Sequence, residues 1–261
     1  MADFDIRVEI GDDGVATVNW NGVIPPDQLM RAVSSAADDA LIGRGLRRLE
    51  VAVPGFDIAA RRAVTRAGFR LEGIRRAVLG LPDGSHADVY LYARLAADQV
   101  HGPDGFSGVM NTVLPKKRLI AHVLIRDPAG RVLLCETQFK ADWELPGGIV
   151  EPGEPPRVGA NREVTEELGV DRPVGRLLVV DWMPPYLGWD DAMELIFDGG
   201  TLEGSELGSL SLQASEIKQV RFCTGPEAAE LVTPLAYRRL SLAMSLGPHQ
   251  MAYLEDGARP A

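Results

Sequence analysis

Residues 148–170, GIVEPGEPPRVGANREVTEELGV, constrain this chain more than any other stretch. Glu163, Glu166 and Glu167 stand at i, i+3 and i+4, spacings that share one face of a helix. Three carboxylates on one face repel one another unless something neutralises them, and a hard divalent cation with oxygen ligands, such as Mg²⁺, answers that need. Pro156 suits a first helical turn and Gly169 a helix end, which predicts a helix between them. Val158, Val164 and Leu168 would form its apolar stripe, with Gly159 as a weak point. A merely solvated Glu-rich helix has no use for Gly148, Glu154 and Gly169 at fixed distances from the glutamates.

The surroundings read as a mixed α/β unit. LIAHVL at 119–124 and RVLLC at 131–135 are strand-like runs joined by Asp127-Pro128-Ala129-Gly130, a hairpin signature. Further strands are expected at 177–180 and 220–223, and helices at 226–231 and 234–246. The first half alternates strand and helix patterns: strands at 15–20, 49–53, 69–81 and 87–93, helices at 27–41 and 57–67, the latter capped by Asp57. Between 99 and 117 periodicity is lost among Gly, Pro, Asp and Ser, which reads as a linker with a boundary near 105. Residues 250–261 read as a tail, frayed from Glu255 to Ala261.

The 261-residue chain carries a net charge of −10. Residues 1–98 hold 12 basic against 14 acidic side chains, and the rest 15 against 23. So acidic a second half is a poor footprint for duplex nucleic acid. No apolar run is long enough to span a bilayer, and the acidic start MADFDIRVEIGDDG does not read as a signal peptide. Cys135 and Cys223 are the only cysteines, both in apolar strands, and read as reduced core residues of a cytoplasmic protein.

The 148–170 stretch resembles the Nudix box of the Nudix hydrolases: Gly, five residues, Glu, seven residues, then Arg-Glu-aliphatic-any-Glu-Glu-any-Gly-aliphatic. The resemblance spans residues 116–249 and implies an α/β/α sandwich around a mixed sheet. It also implies Mg²⁺- or Mn²⁺-dependent hydrolysis of a nucleoside diphosphate linked to another moiety. Carried over by residue, it implies that Glu163, Glu166 and Glu167 hold metal with the carbonyl of Gly148, that Glu163 orients the water, and that Arg162 pairs with a carboxylate such as Glu154. A further acidic ligand from a later loop is common in the family. Glu216 ranks first for it, with Glu206 and Glu194 as competitors. Downstream, Trp182 and Tyr186 in an aromatic, proline-rich segment are candidates to stack on a base or ribose.

Residues 14–95 resemble the C-terminal part of GNAT acetyltransferases, through Ala67-Gly68-Phe69-Arg70-Leu71-Glu72-Gly73 and Asp88-Val89-Tyr90-Leu91-Tyr92. The acetyl-CoA loop of that family is replaced here by Asn21-Gly22-Val23-Ile24-Pro25-Pro26-Asp27, whose two prolines lack N–H donors. The expected organisation is therefore a truncated, non-catalytic GNAT-like α/β domain at 1–98, a linker at 99–115, the Nudix domain at 116–249 and a tail at 250–261. The expected partner is a nucleotide-derived small molecule, with a homodimer possible. The competing reading is a non-hydrolytic nucleotide sensor.

Overall fold

The computed structural model describes residues 5–260. Residues 1–4 and 261, the outermost positions of the expected first domain and tail, lie outside that range. The chain divides into two compact units, Met1–Pro115 and Lys116–Ala261. Among the described residues no helix is long and apolar enough to cross a membrane.

The first unit comprises β1 (Asp5–Ile10), β2 (Val15–Asn21), α1 (Pro26–Asp38), β3 (Arg48–Pro54), α2 (Ile58–Arg66), β4 (Arg70–Gly80), β5 (His86–Leu95) and α3 (Gly102–Val113). Its five-stranded sheet runs β1-β2-β3-β5-β4, with β2–β3 the parallel pair. Leu29 and Val33 from α1 and Ala60 and Val64 from α2 share one core with Val18, Leu49, Val51 and Phe69. The Asp57 carboxylate caps α2 by accepting the Ala60 N–H at 2.9 Å. Helix α1 starts at Pro26, directly after Pro25, so its first turn lacks the two donors that the sequence removes. Arg61, one of a run of arginines, lies over the Tyr90 ring at 3.6 Å.

Two segments of this unit differ from the sequence reading. Strand β1 extends the sheet ahead of β2, paired from Asp5–Asn21 to Ile10–Ala16. Residues 102–113, expected as linker, form α3. Three glycines, one of them its first residue, disguise that helix, but it is fastened to β4: the Thr112 hydroxyl accepts the Leu71 N–H at 3.1 Å.

The second unit comprises β6 (Arg118–Arg126), β7 (Val132–Thr137), β8 (Gly147–Ile149), α4 (Pro156–Leu168), β9 (Leu177–Met183), β10 (Ala192–Thr201), β11 (Ile217–Cys223), α5 (Gly225–Leu231), α6 (Pro234–Ser245) and β12 (Ala252–Glu255). Its mixed sheet runs β11-β7-β6-β10-β9-β12, with β8 added beside β6. Strand alternation serves two cores at once. Ala121, Val123 and Ile125 of β6 join Leu133 and Cys135 of β7 against Ala160, Val164 and Leu168 of α4. Leu124, Val132 and Leu134 face the other way, against Ala228 of α5 and Leu240 and Ala243 of α6. Burial on both faces explains why these strands read as continuous apolar runs. Cys135 and Cys223 are both buried and free.

The β6–β7 hairpin closes as its turn residues require: the Asp127 carboxylate accepts the Arg131 N–H at 2.8 Å. The two strands then pair only at Arg126–Val132, and β6 bonds to β8 further along, from Ile120–Ile149 to His122–Gly147. That divergence opens the sheet where the glutamate helix approaches it.

The expected tail is also corrected. Residues Ala252–Glu255 form β12, parallel to β9, with Ala252 and Leu254 buried. Four residues are too few to show a period in sequence. Leu254→Ala is expected to destabilise the protein by about 2–5 kcal/mol in chemical denaturation. A tail that packs on nothing would give no measurable change.

Candidate active site

The loop before α4 and the helix itself form one charge-neutralising unit around Arg162. Its Nε and Nη2 meet the two Glu154 oxygens at 3.1 and 3.2 Å, the two-pronged geometry that a guanidinium favours. Its Nη1 donates to Glu163 Oε1 and to Glu166 Oε2, both at 3.0 Å, and Nη2 also reaches the Ile149 carbonyl at 3.2 Å. One cation thus holds three carboxylates and a strand end. The hydrogen bond from Arg162 holds the Glu154 carboxyl below its usual value.

Gly159 belongs to this arrangement. A Cβ there would stand 2.7 Å from Glu154 Oε2, so the residue that weakens the helix in sequence is what admits Glu154. Gly148 is placed similarly, since a Cβ would lie 2.9 Å from the Glu163 carboxyl carbon. Val158, expected on the apolar stripe, is exposed; the buried face of α4 is Gly159, Ala160, Val164, Glu167 and Leu168.

Glu167 therefore lies on the buried face. Its Oε2 accepts the Gly147 N–H at 2.9 Å, the carboxylate's single hydrogen bond among the described residues. Burial pushes its carboxyl up to about 7, against the Gly147 N–H and His122, while Glu144 and Glu163 push it further. Burial also raises Glu163, opposed by Arg162 and assisted by Glu166 and Glu216.

These groups line a cavity of about 840 Å³. Gly148, Glu163, Glu166, Glu167 and Glu216 all contribute to its wall. Glu206 does not. It caps a 3₁₀ turn by accepting the Glu203 N–H at 2.7 Å. Glu194 lines the cavity, but as part of a buried ionic cluster with His122 and Arg239.

The cavity's aromatic groups differ from those expected. Trp182 and Tyr186 are not among its lining residues. Trp182 donates its indole N–H to Asp191 at 3.1 Å, and Tyr186 is 71% exposed. Phe139, Trp143 and Trp189 line the cavity instead, and the Arg118 guanidinium lies 4.6 Å from the centre of the Trp189 ring. His122 and Arg239 were also missed. Their signals were present: a histidine inside the apolar run LIAHVL, and an arginine four residues after Leu235 on the apolar stripe of α6.

The donor set suits a hard divalent cation: carboxylate oxygens and a backbone carbonyl, with one buried carboxylate opposed by a single N–H. As the side chains stand, no three His, Cys, Asp or Glu groups converge on a common ion position among the described residues. Glu163 and Glu166 are instead drawn to Arg162.

Comparison with known proteins gives a match between residues 116–242 and the family model for the NUDIX domain. The CMP-5'-(N-acetyl-N-hydroxy-3-aminopropyl)phosphonate hydrolase of Streptomyces rubellomurinus is 30% identical over 139 residues, covering 48% of this chain and 65% of that protein. A MutT-like protein of Streptomyces ambofaciens is 31% identical over 131 residues, covering 50% of this chain and 79% of the relative. The ribosomal-protein-S5-alanine acetyltransferase of Vibrio fischeri aligns in structure at 17% identity and a TM-score of 0.32, covering 36% of this chain and 55% of that one.

The raised Glu167 carboxyl has a thermodynamic consequence. A folded state that binds this proton more tightly than the unfolded chain gains stability that is fully present below pH 4.5 and lost as the pH rises through about 7. With a chelator present, Glu167→Gln is expected to be more stable than wild type at pH 8, by at most about 3 kcal/mol, with the gap closing toward pH 4. Thermal melts across this pH range check it, and a pH-independent difference would refute the assignment.

Proposed function

The chain belongs to the Nudix family, and on that premise we propose that it is a metal-dependent pyrophosphohydrolase. Its substrate would be a nucleoside diphosphate linked to a second moiety: a nucleoside triphosphate, ADP-ribose or a nucleotide sugar. One water is consumed and one bridging P–O bond broken, giving a nucleoside monophosphate and a phosphorylated or pyrophosphate product. The observation that carries this reading is the glutamate cluster organised by Arg162 on the wall of a cavity large enough for a nucleotide. The Streptomyces rubellomurinus relative, named as the hydrolase of a CMP conjugate, supports a nucleotide-linked substrate.

Glu163, Glu166 and Glu167, with the Gly148 carbonyl and Glu216, would hold Mg²⁺ or Mn²⁺. Once bound, that ion would neutralise charge on the phosphates and acidify a nearby water. The protein's own groups supply orientation. Glu154 fixes Arg162, and Arg162 fixes the heading of Glu163 and Glu166. Without a cation, burial holds the Glu167 carboxyl up at about 7, so binding the ion near neutral pH would displace a proton from it. Glu163 orients the attacking water, and the cavity limits access of other waters. The stacking role expected of Trp182 and Tyr186 passes to Trp143 and Trp189, which line the cavity.

In this reading the first unit is non-catalytic, consistent with the prolines at the start of α1. The protein works in the cytoplasm on small molecules rather than on duplex nucleic acid, in keeping with its net charge of −10 and free cysteines.

The test is phosphate release from nucleoside triphosphates, coupled to a pyrophosphatase, and from ADP-ribose, nucleotide sugars and dinucleoside polyphosphates, coupled to a phosphatase, with Mg²⁺ or Mn²⁺. Turnover of at least one compound is expected, and Glu167→Gln should lower it by about 10²-fold or more. Tight nucleotide binding without turnover across the panel would favour the sensor instead. Glu154→Gln, which removes one charge of the Arg162 clamp without touching the cavity wall, should cost about 10–100-fold in activity. An unchanged rate would show that the clamp does not position the glutamates.

A further inference from the structure

The cavity has a second charged cluster beside the glutamates assigned to hydrolysis. Arg239 on α6 and Glu194 on β10 are each 6% exposed, and Asp181 on β9 is fully buried. Arg239 Nη1 pairs with Glu194 Oε2 and lies 3.4 Å from Asp181 Oδ2. Glu194 Oε1 lies 3.1 Å from His122 Nδ1. Asp181 is committed to the fold, because both its oxygens accept the Gly257 N–H at 3.1 Å. Arg239, Glu194 and His122 line the cavity.

An ion pair kept only for folding gains little, since well-packed apolar groups commonly do as well. When one is kept, its remaining donors and acceptors are normally satisfied. This cluster is neither sealed nor complete. It borders the cavity, and the buried Arg239 Nε has no hydrogen-bond partner. Such a donor is costly until an acceptor meets it.

The rest of this end is apolar: Leu134, Leu145, Ile196, Val232 and Leu240, with Trp143 beside them. A few fixed polar groups on an apolar wall is the pattern of small-molecule recognition. Charge narrows the occupant. Arg239 is already matched by Glu194, and Glu144 by Lys140, which also lines the cavity. With its charges paired, this end has no free cation to hold a second phosphate or carboxylate, but its polar groups can hydrogen-bond a neutral one.

Resting on the hydrolase reading, we propose that the Arg239–Glu194–His122 end of the cavity is a specificity subsite for a neutral, flat heterocycle that offers an acceptor to Arg239 and a donor to Glu194. It selects the nucleobase of the substrate. In this assignment Arg239 and Glu194 are specificity residues that act on the base and not on the anhydride.

The experiment measures kcat/KM for ATP, GTP, CTP and UTP, which share the anhydride and differ in the base. In parallel, calorimetry with EDTA present measures binding of the four nucleoside monophosphates. Wild type, Glu194→Gln and Arg239→Lys are compared, with circular dichroism to establish folding. Wild type is expected to separate its best and worst bases by about tenfold or more in both readouts, because a site built to hydrogen-bond one edge leaves its own polar groups unmet with another. Both variants are expected to narrow that spread, chiefly through KM. A wild-type spread below about tenfold would overturn the subsite without recourse to any variant. An undiminished spread in the folded variants would overturn the residue assignment. Base-selective binding without turnover of any triphosphate would support the subsite while counting against the hydrolase. Should the buried variants not fold, Ala236→Leu fills the cavity wall from a half-buried position and is expected to weaken monophosphate binding; unchanged binding would again overturn the proposal.

Discussion

Repulsion among Glu163, Glu166 and Glu167 is the constraint from which the second unit's local design follows. Like charges at these spacings destabilise a helix, and Arg162 answers by holding Glu163 and Glu166 while anchored to Glu154. The anchor in turn dictates the loop and the helix beneath it. Glu154 can approach only because residue 159 has no side chain, and Glu163 only because residue 148 has none. Glu167 escapes the clamp by facing inward, where burial replaces a counterion and raises its carboxyl toward neutrality. A charged group held in this state costs stability when no cation is bound, the kind of cost that functional sites retain.

The sheet supplies the setting through a local failure of pairing. Were β6 and β7 bonded along their full length, the two faces would stay separate. Because β6 leaves β7 for β8, Glu167 from α4 and His122, which points away from the α4 core, border the same cavity. Glu194 reaches it from β10 and Arg239 from α6. The cavity therefore has an acidic end suited to a cation and a paired, nearly neutral end with apolar walls. Two chemistries within one cavity suit a substrate with a charged centre and a neutral head.

How much of this was legible in sequence depended on whether a local rule decided the matter. The bounds of α4, the Asp57 cap and the hairpin at Asp127–Gly130 follow from short-range chemistry and read directly. The pairing of Glu154 with Arg162 could be named because the motif places the two at a fixed separation. What failed was decided by distant partners. Helix α3 looks like a loop until β4 packs on it, and β12 is too short to show its alternation before β9 accepts it. The cavity's aromatics were misassigned because Trp143 and Trp189 come from different loops, while Trp182 spends its indole N–H on Asp191. Gly159 showed its penalty in sequence but not its purpose, which appears only once Glu154 is in place.

The central claim is that the three glutamates and their Arg162 clamp form a site for a divalent cation. Thermal unfolding as a function of Mg²⁺ concentration tests it directly, without reference to any substrate. A ligand that binds only the folded state stabilises it by about 2.7 kcal/mol at a hundredfold excess over its Kd. The expected result is a Tm that climbs with Mg²⁺ in wild type and stays flat in a Glu163→Gln/Glu167→Gln double variant that still folds. A wild-type Tm indifferent to Mg²⁺ and Mn²⁺, or an equal rise in the double variant, would contradict it.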